Sequence, residues 1–103
     1  MVTSNLETTV SGGYFIVKNV DTMELKDTIE IMNSEDYKER FKAEYYQVII
    51  RFDGLNTMLI EWDLDELNFQ PKCSYELLLA QLRSMETYAQ ILRERARIEE
   101  IEL

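Results

Sequence analysis

Apolar residues in the second half of the chain recur at alternating intervals of four and three positions. They form one row between residues 41 and 62 and a second row between residues 78 and 96. The first row is Phe41, Tyr45, Val48, Phe52, Leu55, Leu59 and Trp62, and the second is Leu78, Leu82, Met85, Ala89, Leu92 and Ala96. A heptad row of this kind is typical of an α-helix that buries one face. The pattern predicts two long helices, over about 34–62 and about 74–100.

The ends of these helices also have signals in the sequence. Asn33 or Ser34 can cap the first helix, and Pro71 prevents helix continuation between the two rows. Glu76 follows Cys73 by three residues, which predicts that the Glu76 side chain caps the backbone at Cys73. Two long helices joined by a short connection are expected to fold back as an antiparallel hairpin.

The first 32 residues have a different pattern and predict a separate arm. Gly12 and Gly13 precede an aromatic and β-branched run at 14–17, which is typical of a turn followed by a strand. Alternation at 28–32 favours a second strand and a small β-hairpin, whereas a short helix over about 21–32 is the competing interpretation. We therefore divide the chain into an N-terminal arm, residues 1–32, and a helical hairpin, residues 33–103.

Further apolar residues lie outside the two rows and indicate self-association. They are Ile49, Ile50 and Met58 in the first helix, and Leu77, Tyr88, Ile91 and Ile98 in the second. One hairpin alone would leave much of this surface exposed to water. The expected fold class is therefore mainly α: an antiparallel two-helix hairpin forming an oligomeric helical bundle, with a small N-terminal β-hairpin arm. A dimer with four long helices is the minimum assembly.

The amino-acid composition excludes several kinds of catalytic and binding site. The 103 residues include 20 acidic and 11 basic side chains, for a net charge of -9, with no histidine and one cysteine. Lack of histidine excludes histidine-based catalysis and argues against a zinc site, and the negative charge argues against direct nucleic-acid binding. There is no apolar run of membrane-spanning length. We predict a non-enzymatic protein with no catalytic residues, no metal, no cofactor and no membrane partner.

Several segments of the second half resemble a known family. They include the run from Ser34 to Phe41, the pattern Phe69-x-Pro71-x-Cys73 and the ending from Arg95 to Leu103. Over residues 34–103 the chain resembles a family of small helical-hairpin proteins found in crAss-like and other bacteriophages. Ser74 stands where members of that family usually carry proline, so the preset dihedral angle of a first-turn proline is missing. The resemblance implies a phage accessory protein in the cytoplasm of the bacterial host.

An antiparallel hairpin would gather cationic and tyrosine side chains at its open end. The candidate ligand-binding residues are Tyr37, Arg40, Tyr88, Arg93, Arg95 and Arg97. Arginine forks suit a phosphate group, and tyrosine rings suit a stacked base. The alternative is that acidic residues at the same end form solvated ion pairs with these arginines, such as Asp36–Arg40 and Arg95–Glu99.

These observations and the resemblance favour a phage antidefence protein that sequesters a nucleotide immune signal of the host, either a cyclic nucleotide or an ADP-ribose derivative. The expected partners are other copies of the chain and a small nucleotide. An acidic protein–protein inhibitor or DNA mimic that blocks a host nucleic-acid enzyme, such as a CRISPR nuclease, is the alternative. A structural or regulatory phage bundle is a third interpretation.

Overall fold

The protein is mainly α-helical, as the heptad rows predict. A computed structural model describes the strand residues 9–11 and 14–16 and residues 22–103. Its elements are β1 (Thr9–Ser11), β2 (Tyr14–Ile16), a 3-10 helix (Leu25–Thr28), α1 (Ile29–Met32), α2 (Tyr37–Asp63) and α3 (Tyr75–Glu99). None of the described helices is long and apolar enough to cross a membrane.

The predicted strand over residues 28–32 is wrong. Residues 25–32 form the 3-10 helix and α1 instead, so the competing interpretation of a short helix fits this stretch. Local hydrogen bonds explain why this stretch is helical and not extended. The Glu24 amide donates to Asp27 Oδ2 at 2.9 Å, and Thr28 Oγ1 donates to the Leu25 carbonyl at 2.7 Å. β2 pairs antiparallel with β1, with Val10 opposite Phe15, and not with residues 28–32, so the predicted hairpin arm is not supported. The rest of that arm, residues 1–8, 12–13 and 17–21, lies outside the described residues.

Both long helices begin at a side-chain cap, although neither cap is the predicted one. Asp36 precedes α2 and its carboxylate accepts a hydrogen bond from the Lys38 amide at 3.0 Å. Ser74 precedes α3 and its hydroxyl accepts one from the Leu77 amide at 3.1 Å. α3 therefore begins at a Ser74 cap, one residue after Cys73, where the cap by Glu76 is predicted.

Polar contacts show that α2 and α3 run in opposite directions. The Tyr37 hydroxyl at the start of α2 donates to Glu99 Oε1 at the end of α3, at 2.8 Å. At the other end, the Tyr75 hydroxyl donates to Asp63 Oδ2, also at 2.8 Å. The two heptad rows face each other between these contacts and supply most of the buried core, namely Phe41, Tyr45, Val48, Phe52, Leu59, Leu82, Ala89, Leu92 and Ala96.

The 3-10 helix and α1 cover a second side of α2. Thr28 and Ala43 are each 1% exposed, and Gln47 Nε2 donates to Thr28 Oγ1 at 2.9 Å. The heptad row does not contain Ala43 or Gln47, so the row alone did not predict this contact. α2 is therefore packed on two sides within one chain.

The prediction that Ile49 needs a partner chain is wrong. Ile49 is 5% exposed and belongs to the same buried core cluster as Leu92 and Ile101. Ile101, which follows α3, is buried in the same core cluster, and its amide donates to the Ala96 carbonyl at 2.8 Å. Leu77, Ile91 and Ile98 on α3 are different, because they remain 60%, 54% and 64% exposed.

Candidate functional site

Four side chains meet where the start of α2 lies beside the end of α3. Arg95 Nη2 donates to the Tyr37 hydroxyl at 3.1 Å, and that hydroxyl donates to Glu99 Oε1. Arg95 Nε also contacts Glu99 Oε2 at 3.4 Å, and its Cζ atom lies 5.0 Å from the centroid of the Phe41 ring. We call Tyr37, Phe41, Arg95 and Glu99 the Tyr37 cluster.

The sequence builds this cluster from helix geometry. Tyr37 and Phe41 are four residues apart on α2, as are Arg95 and Glu99 on α3, so each pair lies on one helix face. Phe41 is buried in the core, and its ring holds the Arg95 guanidinium above it through a cation–π contact. Tyr37 remains 47% exposed, so the cluster has an accessible face.

Tyr88 lies on the same side of α3 as Arg95. The two residues are seven positions apart, which places them two turns, or about 10 Å, from each other along the helix. The Tyr88 hydroxyl donates to the Glu44 carboxylate on α2, and the Tyr88 side chain is 41% exposed. Tyr88 and the Tyr37 cluster therefore lie along one face of the α2–α3 interface, and we call this stretch of the interface the groove.

Arg93 and Arg97 do not join this groove. Each is two positions from Arg95, which corresponds to a rotation of about 200° around the helix. Arg93 is half-buried and hydrogen-bonds the Tyr45 side chain. Burial raises the pKa of the Tyr45 phenol to about 12, against the opposing charge and hydrogen bond of Arg93.

Arg97 and Arg40 are also engaged elsewhere. Arg97 Nε donates to Glu94 Oε1 at 3.2 Å, and this hydrogen bond and charge lower the pKa of the Glu94 carboxyl. Arg40 Nη1 donates to the Ser34 carbonyl at 2.8 Å rather than forming the predicted pair with Asp36. Of the six candidate residues, the structure brings Tyr37 and Arg95 into contact and places Tyr88 in the same groove.

A second feature was missed by the sequence analysis. An open depression of about 320 Å³ lies between residues 25–32 and α2, and it is lined by Leu25, Lys26, Thr28, Ile29, Met32, Gln47 and Arg51. Its walls combine the cationic side chains of Lys26 and Arg51 with the exposed apolar side chains of Ile29 and Met32. The depression exists because residues 25–32 are helical and pack against α2. The only sequence signal for it was therefore the competing interpretation of a short helix over about 21–32.

No group of three or more histidine, cysteine, aspartate or glutamate side chains among the described residues is placed to hold a metal ion. Cys73 is exposed in the connection between the helices, before the cap of α3.

Comparison with known proteins assigns a family to the helical part of the chain. A family model described as Sequestin matches residues 35–98, which is more than half of the chain. The chain belongs to the Sequestin family. The Sequestin match includes Tyr37, Tyr88 and Arg95, whereas residues 25–32 of the depression lie outside it. No curated protein and no solved structure matches the chain.

Proposed function

We propose that this protein sequesters a small nucleotide in the groove that holds the Tyr37 cluster and Tyr88. The observation that carries the proposal is membership of the Sequestin family, whose name itself indicates sequestration, over a region that contains Tyr37, Tyr88 and Arg95. The proposed ligand is a cyclic nucleotide or an ADP-ribose derivative, held without chemical conversion. In line with the phage resemblance, the proposed role is antidefence in the cytoplasm of a bacterial host.

The groove offers a different partner for each part of a nucleotide. Arg95 can present its guanidinium to a phosphate group in place of the long 3.4 Å contact with Glu99. The exposed rings of Tyr37 and Tyr88 provide faces for a base. The carboxylates of Glu44 and Glu99 are acceptors for ribose hydroxyls or base amino groups.

Charge limits the size of the ligand. The chain carries a net charge of -9, so a long polyanion would be repelled by most of the surface. A small nucleotide with one or two phosphates needs only the local cation at Arg95. The charge balance therefore supports a soluble signal molecule over a nucleic acid.

We also propose that the protein is a homo-oligomer, with a dimer as the minimum. The proposal is supported by Leu77, Ile91 and Ile98 on α3, which remain more than half exposed in the part of the chain that the structure describes.

Calorimetry with a panel of cyclic dinucleotides and ADP-ribose derivatives tests the ligand proposal. Arg95→Ala should weaken binding by roughly ten- to a hundredfold, because a hydrogen bond to a charged group contributes about 1.5–3 kcal/mol. Arg51→Ala is the matched control, since Arg51 is another exposed arginine and lies in the depression outside the groove. Arg93→Ala is less informative because it removes the partner of the core phenol Tyr45.

The outcomes separate the candidate sites. Loss of binding in Arg51→Ala with full binding in Arg95→Ala would move the site to the depression and contradict the groove. Lack of binding by the unmutated protein to every compound in the panel would contradict nucleotide sequestration.

Acidic inhibition of a host nucleic-acid enzyme is the second candidate function. It is supported by four exposed acids in and after the last turn of α2: Glu61, Asp63, Asp65 and Glu66. A DNA mimic should lose its protein partner steeply as salt is raised, because its attraction is between solvent-exposed charges. Binding to a CRISPR nuclease that persists unchanged from 50 mM to about 500 mM salt would contradict this candidate.

A further inference from the structure

One heptad position of α3 forms an exposed row that residues 22–103 leave uncovered. Its members are Leu77, Ser84, Ile91 and Ile98, spaced by seven residues, and we call them the α3 row. The three apolar members are 54–64% exposed. The row is distinct from the core side of α3, where Leu92 and Ala89 are fully buried.

The shape of the row fits another helix of the same kind. It spans three heptads, or about 32 Å, which is most of the length of α3. Heptad rows of this length pair with each other in coiled coils, and a two-fold axis lets one patch pair with itself. The net charge of -9 on the chain disfavours an anionic lipid surface as the alternative occupant.

Charges beside the row distinguish the two possible orientations. In a parallel pair, the flank that holds Glu94 and Arg97 would face the opposite flank of the second copy, so these residues of the two copies would not meet. In an antiparallel pair, a two-fold symmetry axis that passes α3 between residues 87 and 88 places Leu77 opposite the second copy's Ile98. Glu76 then comes within about two residues of the second copy's Arg97, and Arg83 comes equally near its Glu94. Because Arg97 and Glu94 already bond each other, the four side chains would alternate in sign.

The opposite flank of the row contains the proposed ligand groove. Gln81, Tyr88 and Arg95 are spaced by seven residues there, and Tyr88 and Arg95 hydrogen-bond α2. In the antiparallel pair, Arg95 lies opposite the second copy's Gln81, and the two Tyr88 side chains meet near the axis. A second copy on the α3 row would therefore form the outer wall of the groove.

We propose that the α3 row is a self-association face on which a second copy packs antiparallel, so that the second copy's Gln81 lies beside Arg95 and completes the groove. The assignment of the groove as a nucleotide site rests on the proposed function. The orientation of the two copies does not rest on the proposed function.

Sedimentation equilibrium of the full chain at micromolar concentration tests the face. The unmutated protein should be a dimer, and Ile91→Glu should raise the dimer dissociation constant by roughly a hundredfold or more, because it replaces two buried isoleucines with charges. Ile60→Glu is the matched control, since Ile60 is a 42% exposed isoleucine on α2 outside the row. Circular dichroism should show unchanged helix content in both variants.

Disulfide cross-linking tests the orientation. Leu77→Cys and Ile98→Cys are prepared separately in a Cys73→Ser background and then mixed under oxidising conditions. The antiparallel pair predicts mixed Leu77→Cys/Ile98→Cys disulfides between copies. Cross-linking of each variant only with itself indicates a parallel pair and overturns the proposal.

The two proposals fail in different ways. A monomeric unmutated protein that binds a nucleotide would overturn the α3 face and leave sequestration standing. A protein that forms the predicted cross-links but binds no compound in the panel would retain the face and overturn sequestration. A dimer that persists in Ile91→Glu would overturn the α3 face.

Discussion

The guanidinium of Arg95 on α3 lies over the ring of Phe41 on α2, with its Cζ atom 5.0 Å from the ring centroid. Phe41 is 2% exposed and belongs to the main core cluster, whereas the Arg95 side chain is 46% exposed. The contact links the packing of the two helices to a cation at the surface. The position of the candidate phosphate-binding group is therefore fixed by the same residues that hold α2 and α3 together.

Tyr45 should make the protein lose stability in alkaline solution. Burial raises the pKa of its phenol from 10.0 to about 12, so the unfolded state releases this proton first as pH rises. The stabilisation is fully present below pH 10 and is lost as pH rises toward 12. Between pH 9 and 11 the free energy of unfolding should fall by about 1 kcal/mol through this group.

Urea unfolding of the unmutated protein and of Tyr45→Phe, at pH 9 and at pH 11, measures this effect. Tyr45→Phe should show a smaller alkaline loss, while Tyr46 and Tyr75, whose pKa values are also raised, still titrate in both proteins. Equal losses in the two proteins would contradict the assignment to Tyr45.

Leu92→Ala should be strongly destabilising. Leu92 is fully buried against α2, and removal of a buried leucine side chain costs about 2–5 kcal/mol through lost burial and the cavity left behind. Leu64→Ala is the control, because Leu64 is 61% exposed after α2 and its loss should cost less than about 1 kcal/mol. Chemical denaturation gives both values, and similar costs for the two variants would show that the α2–α3 core is placed incorrectly.

Gly54→Ala should stabilise the protein. Gly54 lies in the interior of α2, and an added Cβ would meet no atom within 4 Å. Alanine is favoured over glycine inside a helix by about 0.5–1 kcal/mol. A small rise in the melting temperature is therefore expected by circular dichroism, and a fall would mean that α2 is broken or tightly packed at this position.

The sequence predicted the parts of the fold that depend on helical periodicity. The two heptad rows carry most of the buried core, because a repeat of four and three places those side chains on one face. Periodicity within a row gives no information about a third element, so the contact of Thr28 with Gln47 was missed. The strand predicted at 28–32 failed because the local hydrogen bonds of Asp27 and Thr28 favour a turn over an extended backbone.

The candidate site was predicted less completely than the core. Antiparallel packing predicts that the two ends named in the sequence come together, and Tyr37 does meet Arg95. The linear spacing of arginines could not show which face of α3 each one occupies relative to α2. Arg93 instead hydrogen-bonds Tyr45, and Arg97 pairs with Glu94 along its own helix.

The division of the chain at residue 33 gives a further prediction. A chain beginning at Asn33 retains both rows and should unfold cooperatively by circular dichroism. Its melting temperature should be lower than that of the full chain, because removal of residues 22–32 exposes Ala43 and leaves the Gln47 amide without Thr28. The absence of a cooperative melt would show that the 3-10 helix and α1 belong to the core, against the proposed division.

Native mass spectrometry of the protein purified from cells that produce nucleotide immune signals tests the central claim most directly, since it reports subunit number and retained ligand together. The account predicts a dimer, or a larger assembly, that carries added mass matching a cyclic nucleotide or an ADP-ribose derivative. The Arg95→Ala protein, prepared in the same way, should carry much less of that mass. A ligand-free monomer from signal-producing cells would contradict the account.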